Sequence, residues 1–177
     1  MVTVNFNIRD KQRIFNGKYI YIAEKGTLLS QQLLQFVENC SWHEVKDHIA
    51  EMLRAWEFTD WETMFAAVED GKIVGMASIM KTDYYPLPEI FPWISCVFVT
   101  EQARGRRISG NLIDYANSYA KELGFTRTYI PTEFEGLYEH YGYRYVRDIT
   151  NYGGDTDRLY MKEISDVHKQ YNYVPKK

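Results

Sequence analysis

Residues 96–116 read CVFVTEQARGRRISGNLIDYA, and this stretch decides the fold. Trp93 to Val99 (WISCVFV) is a β-branched and aromatic run, which predicts a strand buried on both faces. A polar loop follows from Thr100 to Arg107. From Arg107 to Leu123, residues Ile108, Leu112, Ile113, Ala116, Tyr119, Ala120 and Leu123 recur at helical spacing, and Gly124 stands where a helix C-cap glycine belongs. Phe125 to Ile130 predicts the next strand. Strand, crossover helix and strand imply a parallel pair. A helix N-terminus offers free amides and the positive end of a dipole, so the loop is a candidate phosphate site. Arg104, Arg106 and Arg107 add positive charge there, and Gly105 permits close backbone approach. The same residues also read as a solvated basic turn. The chain contains neither GxxxxGK[ST] nor GxGxxG, so this is no P-loop and carries no Rossmann fingerprint.

Upstream, Thr3–Ile8 and Lys18–Ala23 read as strands, the second after an Asn16-Gly17 turn signal. Leu28–Val37 carries a helical stripe of Leu29, Leu33, Phe36 and Val37. Ser41 with Glu44 reads as a capping box opening a second helix, whose buried face is Val45, Ile49, Met52, Leu53 and Trp56. Met64–Val68 and Ile73–Met80, joined by Glu69-Asp70-Gly71-Lys72, predict a β-hairpin. Pro86, Pro88 and Pro92 make 84–92 an irregular connection. Downstream come a short helix near Glu135–Tyr141 and strands near Tyr143–Ile149 and Arg158–Ile164. The expectation is an α/β chain with a mixed, largely antiparallel sheet and helices on both faces.

The chain has 177 residues, the size of one domain. Its expected parts are an N-terminal part (1–62), a core (64–164) and a polar tail (165–177). Apolar residues are 45% and charged residues 25%, which excludes wholesale disorder. A net charge of −3 disfavours nucleic acid as a main partner. Two cysteines, Cys40 and Cys96, cannot build a disulfide framework or fill a four-ligand zinc site, so no metal is expected. Cys96 reads as a small buried hydrophobe, and Trp42, Trp56 and Trp61 as core. No run approaches ~20 apolar residues and the N-terminus lacks a signal-peptide core, so no membrane association and a cytoplasmic location are expected.

The loop resembles the acetyl-CoA loop of the GNAT acetyltransferase superfamily, hydrophobic-x-V-x-x-x-x-R/Q-x-x-G-x-G/A. Val97, Phe98 and Val99 resemble its strand end, and Arg104 holds the R/Q position. Arg107 stands where the first motif glycine is usual and Ser109 where Gly or Ala is usual. Both keep the backbone amide, and Gly110 follows. The segment GFTRTYIPTEFEGLYEHYGYRY, 124–145, is similar to the family's second signature, with Leu137-Tyr138-Glu139 and Gly142-Tyr143 in its YE-x-x-GF positions. FAAVEDGKIVGMASI, 65–79, resembles the hairpin before the central strand. Three motifs in order cover about 64–164.

The resemblance implies a GNAT-like acyl-CoA N-acyltransferase fold and acetyl transfer from acetyl-CoA to an amine. Val97, Phe98, Val99, Arg104, Gly105, Arg106, Arg107, Ile108, Ser109 and Gly110 would then hold the co-substrate. The two parallel strands would splay, and an extended arm of roughly 15 Å running back from Val99 would reach Ile94 and Ser95 at about 3.3 Å per residue. The acetyl group is thus expected near Trp93–Ser95, in a pocket lined by Trp93, Glu89, the Tyr84–Tyr85 loop and the face of the second helix. Tyr138 matches the family tyrosine whose phenol donates to the departing thiolate. Asp83, Glu89, Glu133 and Glu135 flank the expected cleft as proton acceptors, with His48, His140 and ordered water as alternatives; the expected catalytic pair is Tyr138 and Glu89. The acceptor class implied is a small-molecule amine, such as a polyamine or amino sugar, since an acidic chain attracts cations. The alternatives are a protein lysine or N-terminal acetyltransferase and a non-catalytic acyl-CoA sensor. A monomer or homodimer is expected.

Overall fold

The computed structural model describes residues 12–15 and 18–165. The strand expected at Thr3–Ile8 and the tail lie outside them. Strand β1 (Gln12–Phe15), which the sequence reading did not single out, pairs antiparallel with β2 (Lys18–Ile22). Helix α1 (Leu28–Glu38) follows, capped by Thr27, whose hydroxyl accepts from the Ser30 amide at 3.2 Å. Leu29, Leu33 and Val37 recur every fourth residue and are buried, as the stripe required.

The second helix differs from expectation. Helix α2 spans Lys46–Ala55, and its N-cap, Val45, makes no side-chain cap bond. Ser41 does not cap it, because its hydroxyl donates instead to the carboxylate of Glu101. A long-range partner has outcompeted the local one.

Strands β3 (Thr63–Glu69) and β4 (Lys72–Met80) form the expected hairpin. Asp70 and Gly71 both have positive φ, +48° and +71°, the twist that a two-residue hairpin loop demands. Strand β5 (Trp93–Val99) is followed by a 3₁₀ turn at Glu101–Ala103 and helix α3 (Ile108–Glu122). At its end the Phe125 amide reaches the Ala120 carbonyl at 3.1 Å across Gly124, whose φ is +92°. Then come β6 (Arg127–Thr132), β7 (Arg144–Thr150) and β8 (Thr156–Glu163). The expected short helix is only a 3₁₀ turn, Tyr138–Tyr141, confined between Gly136 and Gly142, whose φ values are +82° and +81°.

The eight strands order as β1-β2-β3-β4-β5-β6-β8-β7, antiparallel except for β5 beside β6. Helix α3 covers one face over Phe65, Ala77, Ile79, Ile94 and Ile130. Helices α1 and α2 cover the other over Met64, Ala66, Met76 and Phe98. On that second face Trp93, Ile149 and Leu159 form a smaller cluster topped by the β4–β5 connection rather than by a helix.

Candidate active site

Strands β5 and β6 share a single residue pair, Trp93 with Tyr129, where the Tyr129 amide donates to the Pro92 carbonyl at 3.0 Å. Beyond it they part. In the β4–β5 ladder Met76 faces Phe98 and Ser78 faces Ser95, so Ala77 opposes both Cys96 and Val97. This is a β-bulge, with Cys96 at φ +52°. A bulge bends its strand and steepens its twist, which carries β5 away from β6. Ser95, Cys96 and Val97 are therefore half-buried, not enclosed on both faces as the apolar run suggested. Among the described residues the β6-facing main chain of β5 past Trp93 has no strand partner, and such groups bond the amides of an extended ligand as a strand would. The Cys96 thiol is pushed up to about 12, mainly by burial, so it stays protonated and is no nucleophile.

The opened wedge leads to the arginine loop. A pocket of about 350 Å³ is lined by Val99, Arg104, Gly105, Arg107, Ser109 and Tyr141. Gly105 has φ +73°, and Arg107, the N-cap of α3, has φ +59°. That left-handed conformation is why glycine suits the position of Arg107. The three arginines differ. Arg106 turns to Glu69 at 2.8 Å and is not among the pocket-lining residues. Arg104 donates to the Val99 carbonyl and to Glu101, both at 3.1 Å. Arg107 lines the pocket and, among the described residues, forms no ion pair. Glu101 also accepts from Ser41, and this bond is the main reason its carboxyl lies below the usual range. Gly110 answers to packing: a Cβ there would stand 2.8 Å from the Tyr141 ring. Tyr141 in turn meets the Ser109 hydroxyl at 3.0 Å. Tyr141 was missed in the sequence, where only its helical neighbourhood to Tyr138 was visible.

At the other end of β5, the Ser95 hydroxyl donates to the carboxylate of Asp83, on the β4–β5 connection. Burial raises the Asp83 carboxyl above its ordinary value, the Ser95 bond opposes this, and the nearby Asp157 charge adds to it. The Tyr85 hydroxyl donates to Asp157, at the start of β8, at 2.7 Å. Trp93 is only 1% exposed beneath Tyr85, the two rings stacked at 5.6 Å, so it floors the cleft and does not line it openly. Glu89 is exposed on the same connection, Glu133 is exposed, and Glu135 is engaged with Arg158 at 2.9 Å. His48 and His140 are exposed. Of the carboxylates named from sequence, Asp83 is the one that meets β5.

Tyr138 is buried among Tyr141, Tyr143 and Tyr160, at ring distances of 6.2, 6.4 and 6.1 Å. Burial, chiefly, pushes its hydroxyl up to about 12, so it stays protonated near neutral pH; a bond with Thr132 of β6 opposes the rise. Tyr143 is fixed by Asn117 at 3.0 Å and Thr128 at 2.8 Å. Among the described residues no group of three or more His, Cys, Asp or Glu is placed to hold a metal, and no helix is long and apolar enough to cross a membrane.

Solved structures with this fold include an aminoglycoside 6'-N-acetyltransferase from Enterococcus faecium (17% identity, TM-score 0.63, covering 82% of this chain and 97% of that one). Another is the ribosomal-protein-S5-alanine acetyltransferase from Vibrio fischeri (11% identity, TM-score 0.67, covering 89% and 98%). A third is a GNAT family acetyltransferase from Elizabethkingia anophelis with acetyl-CoA bound (18% identity, TM-score 0.56, covering 84% and 99%). No curated protein sequence matches the chain significantly. The Acetyltransferase (GNAT) family profile matches residues 29–143, from α1 through the arginine loop to the tyrosine turn. With the splayed strands and the pocket at the start of α3, that match makes the chain a member of the GNAT family, an N-acetyltransferase that uses acetyl-CoA.

Proposed function

We propose that the chain acetylates the primary amine of a small molecule and that Asp83 takes the proton the amine must lose. The observation carrying this reading is the Asp83–Ser95 hydrogen bond, which sets a half-buried carboxylate against the segment of β5 where the acetyl end of an extended arm is expected. An ammonium has no lone pair, so a group near the reacting nitrogen must accept its proton. A carboxyl raised by burial is a stronger base than an exposed one, and Ser95 holds its oxygen in place. Acetyl-CoA supplies an acetyl thioester, whose cleavage frees a thiolate. Tyr138, protonated near neutral pH, is the proposed donor to that sulfur. The loop amides from Gly105 to Gly110 and the Arg104 and Arg107 side chains receive the pyrophosphate, and Val97–Val99 flank the arm. Incubation with acetyl-CoA and a panel of amines, amino sugars and peptides, read by mass spectrometry, tests this. Acetylation of small amines supports it; acetylation of peptides alone overturns the acceptor class.

A further inference from the structure

Resting on that reading, we propose that the acceptor carries a second cationic group, seated by Asp157 beside the ring pair Tyr84–Tyr152, so that the substrate class is a diamine or longer polyamine. Two carboxylates from different elements share the open face of the sheet. Asp83 meets Ser95 on β5, while Asp157 stands at the start of β8 and is reached through Tyr85. Asp157 is near enough that its charge acts on Asp83, but the two hold different partners, Ser95 for Asp83 and Tyr85 for Asp157, so one can serve the amine that reacts and the other a second cation.

Asp157 is half-buried and, among the described residues, makes no ion pair with Lys or Arg. Its neighbour Arg158 turns to the opposite face, to Glu135. A partly desolvated carboxylate without a cation is unfavourable, and a ligand ammonium would satisfy it.

The aromatic pair is an independent observation. Tyr84 is 60% exposed and Tyr152 67% exposed, yet their rings meet edge to face at 5.7 Å. Their backbones are joined, the Tyr152 amide donating to the Tyr84 carbonyl at 3.2 Å. The rings are thus held at the mouth between the β4–β5 connection and the β7–β8 turn. Tyr84 is the chain neighbour of Tyr85, which meets Asp157, and exposed aromatic faces attract ammonium groups. The Tyr85 ring, whose hydroxyl meets Asp157, stacks on Trp93 in one cluster with Leu87 and Ile90, an apolar floor for a methylene chain.

The test is kcat/KM for n-butylamine, 1,4-diaminobutane and spermidine with the purified chain. A preference for diamine over monoamine of roughly tenfold or more is expected, carried mainly by KM. Asp157→Asn should reduce that preference toward unity, and Asp157→Glu should restore part of it. Tyr152→Leu, on an exposed turn where folding is not at stake, should reduce it severalfold. Equal kcat/KM for the monoamine and diamine overturns the second-cation seat and leaves small-amine acetylation standing. A preference that survives in Asp157→Asn overturns Asp157 as that seat. If no amine is acetylated although CoA still raises the melting temperature, both readings fall.

Discussion

The Ser95 hydroxyl donates to the Asp83 carboxylate, twelve residues away in sequence and across the mouth of the β4–β5 connection. Ser95 lies beside the bulge that turns β5 from β6, so one irregularity opens the wedge and aims a hydroxyl at the buried acid. Burying that acid is unfavourable when it is charged, and with Asp83 as the proposed base this sets a trade between stability and activity.

Asp83→Asn is expected to lower kcat by about 10²-fold or more, the scale of a positioned base. The same variant should melt higher at neutral pH. Asp83 has its folded pKa raised, so its favourable contribution is complete below its unfolded value of 3.8 and is lost as pH rises through the folded value. Asparagine has no charge to bury, and each kcal/mol gained would read as about 2–4 °C. Melting curves should therefore separate above the raised value and converge near pH 3. Curves separated equally at both ends would mean that Asp83 is not buried as an acid.

The pH profile of kcat/KM should rise on the acid side as Asp83 deprotonates, at a pH above the ordinary aspartate range. That limb should move or vanish in Asp83→Asn, leaving only the deprotonation of the amine, whose pKa is about 10.4 for a lysine-like group. An unchanged acid limb in the variant would assign it to another group.

Arg107→Gly should stabilise the fold while weakening CoA binding. A left-handed residue other than glycine costs about 1–2 kcal/mol, and glycine removes that strain at some entropic loss. The pyrophosphate would lose one cation but keep the helix N-terminus. Thermal unfolding with and without CoA reads both effects; at a hundred times Kd, ligand should stabilise the native protein by about 2.7 kcal/mol. A variant that binds CoA as tightly as the native chain would remove Arg107 from the phosphate site.

Tyr138→Phe should cut kcat by about 10²-fold with little change in melting temperature, since the ring stays in its cluster. A parallel loss of rate and stability would make Tyr138 a packing residue.

Gly110→Ala places a methyl group 2.8 Å from the Tyr141 ring and should cost about 1–3 kcal/mol of stability. Because Tyr141 also lines the pocket at the start of α3, the proposed pyrophosphate site, the variant should lose CoA affinity as well. Intact affinity in a destabilised variant would limit Gly110 to packing.

The sequence by itself determined the strand–loop–helix at 93–123, the Asp-Gly hairpin and the stripe of α1, because each is written in local periodicity and turn chemistry. It also matched Arg104 and Tyr138 to two signatures of one family, with Arg107 a departure from the first. It did not place Asp83 above Glu89: both are acids in one proline-rich connection, and only pairing with β5 brings Asp83 to Ser95. Nor did it separate three adjacent arginines, since Arg106 is drawn off by Glu69 from the neighbouring hairpin. The Ser41 capping box failed for the same reason, Glu101 being sixty residues away in sequence and adjacent in space. Local sequence fixes which backbone groups can bond their near neighbours. Which side chains share a cleft is decided by strand order and by the bulge at Cys96, which arise only when distant segments pair.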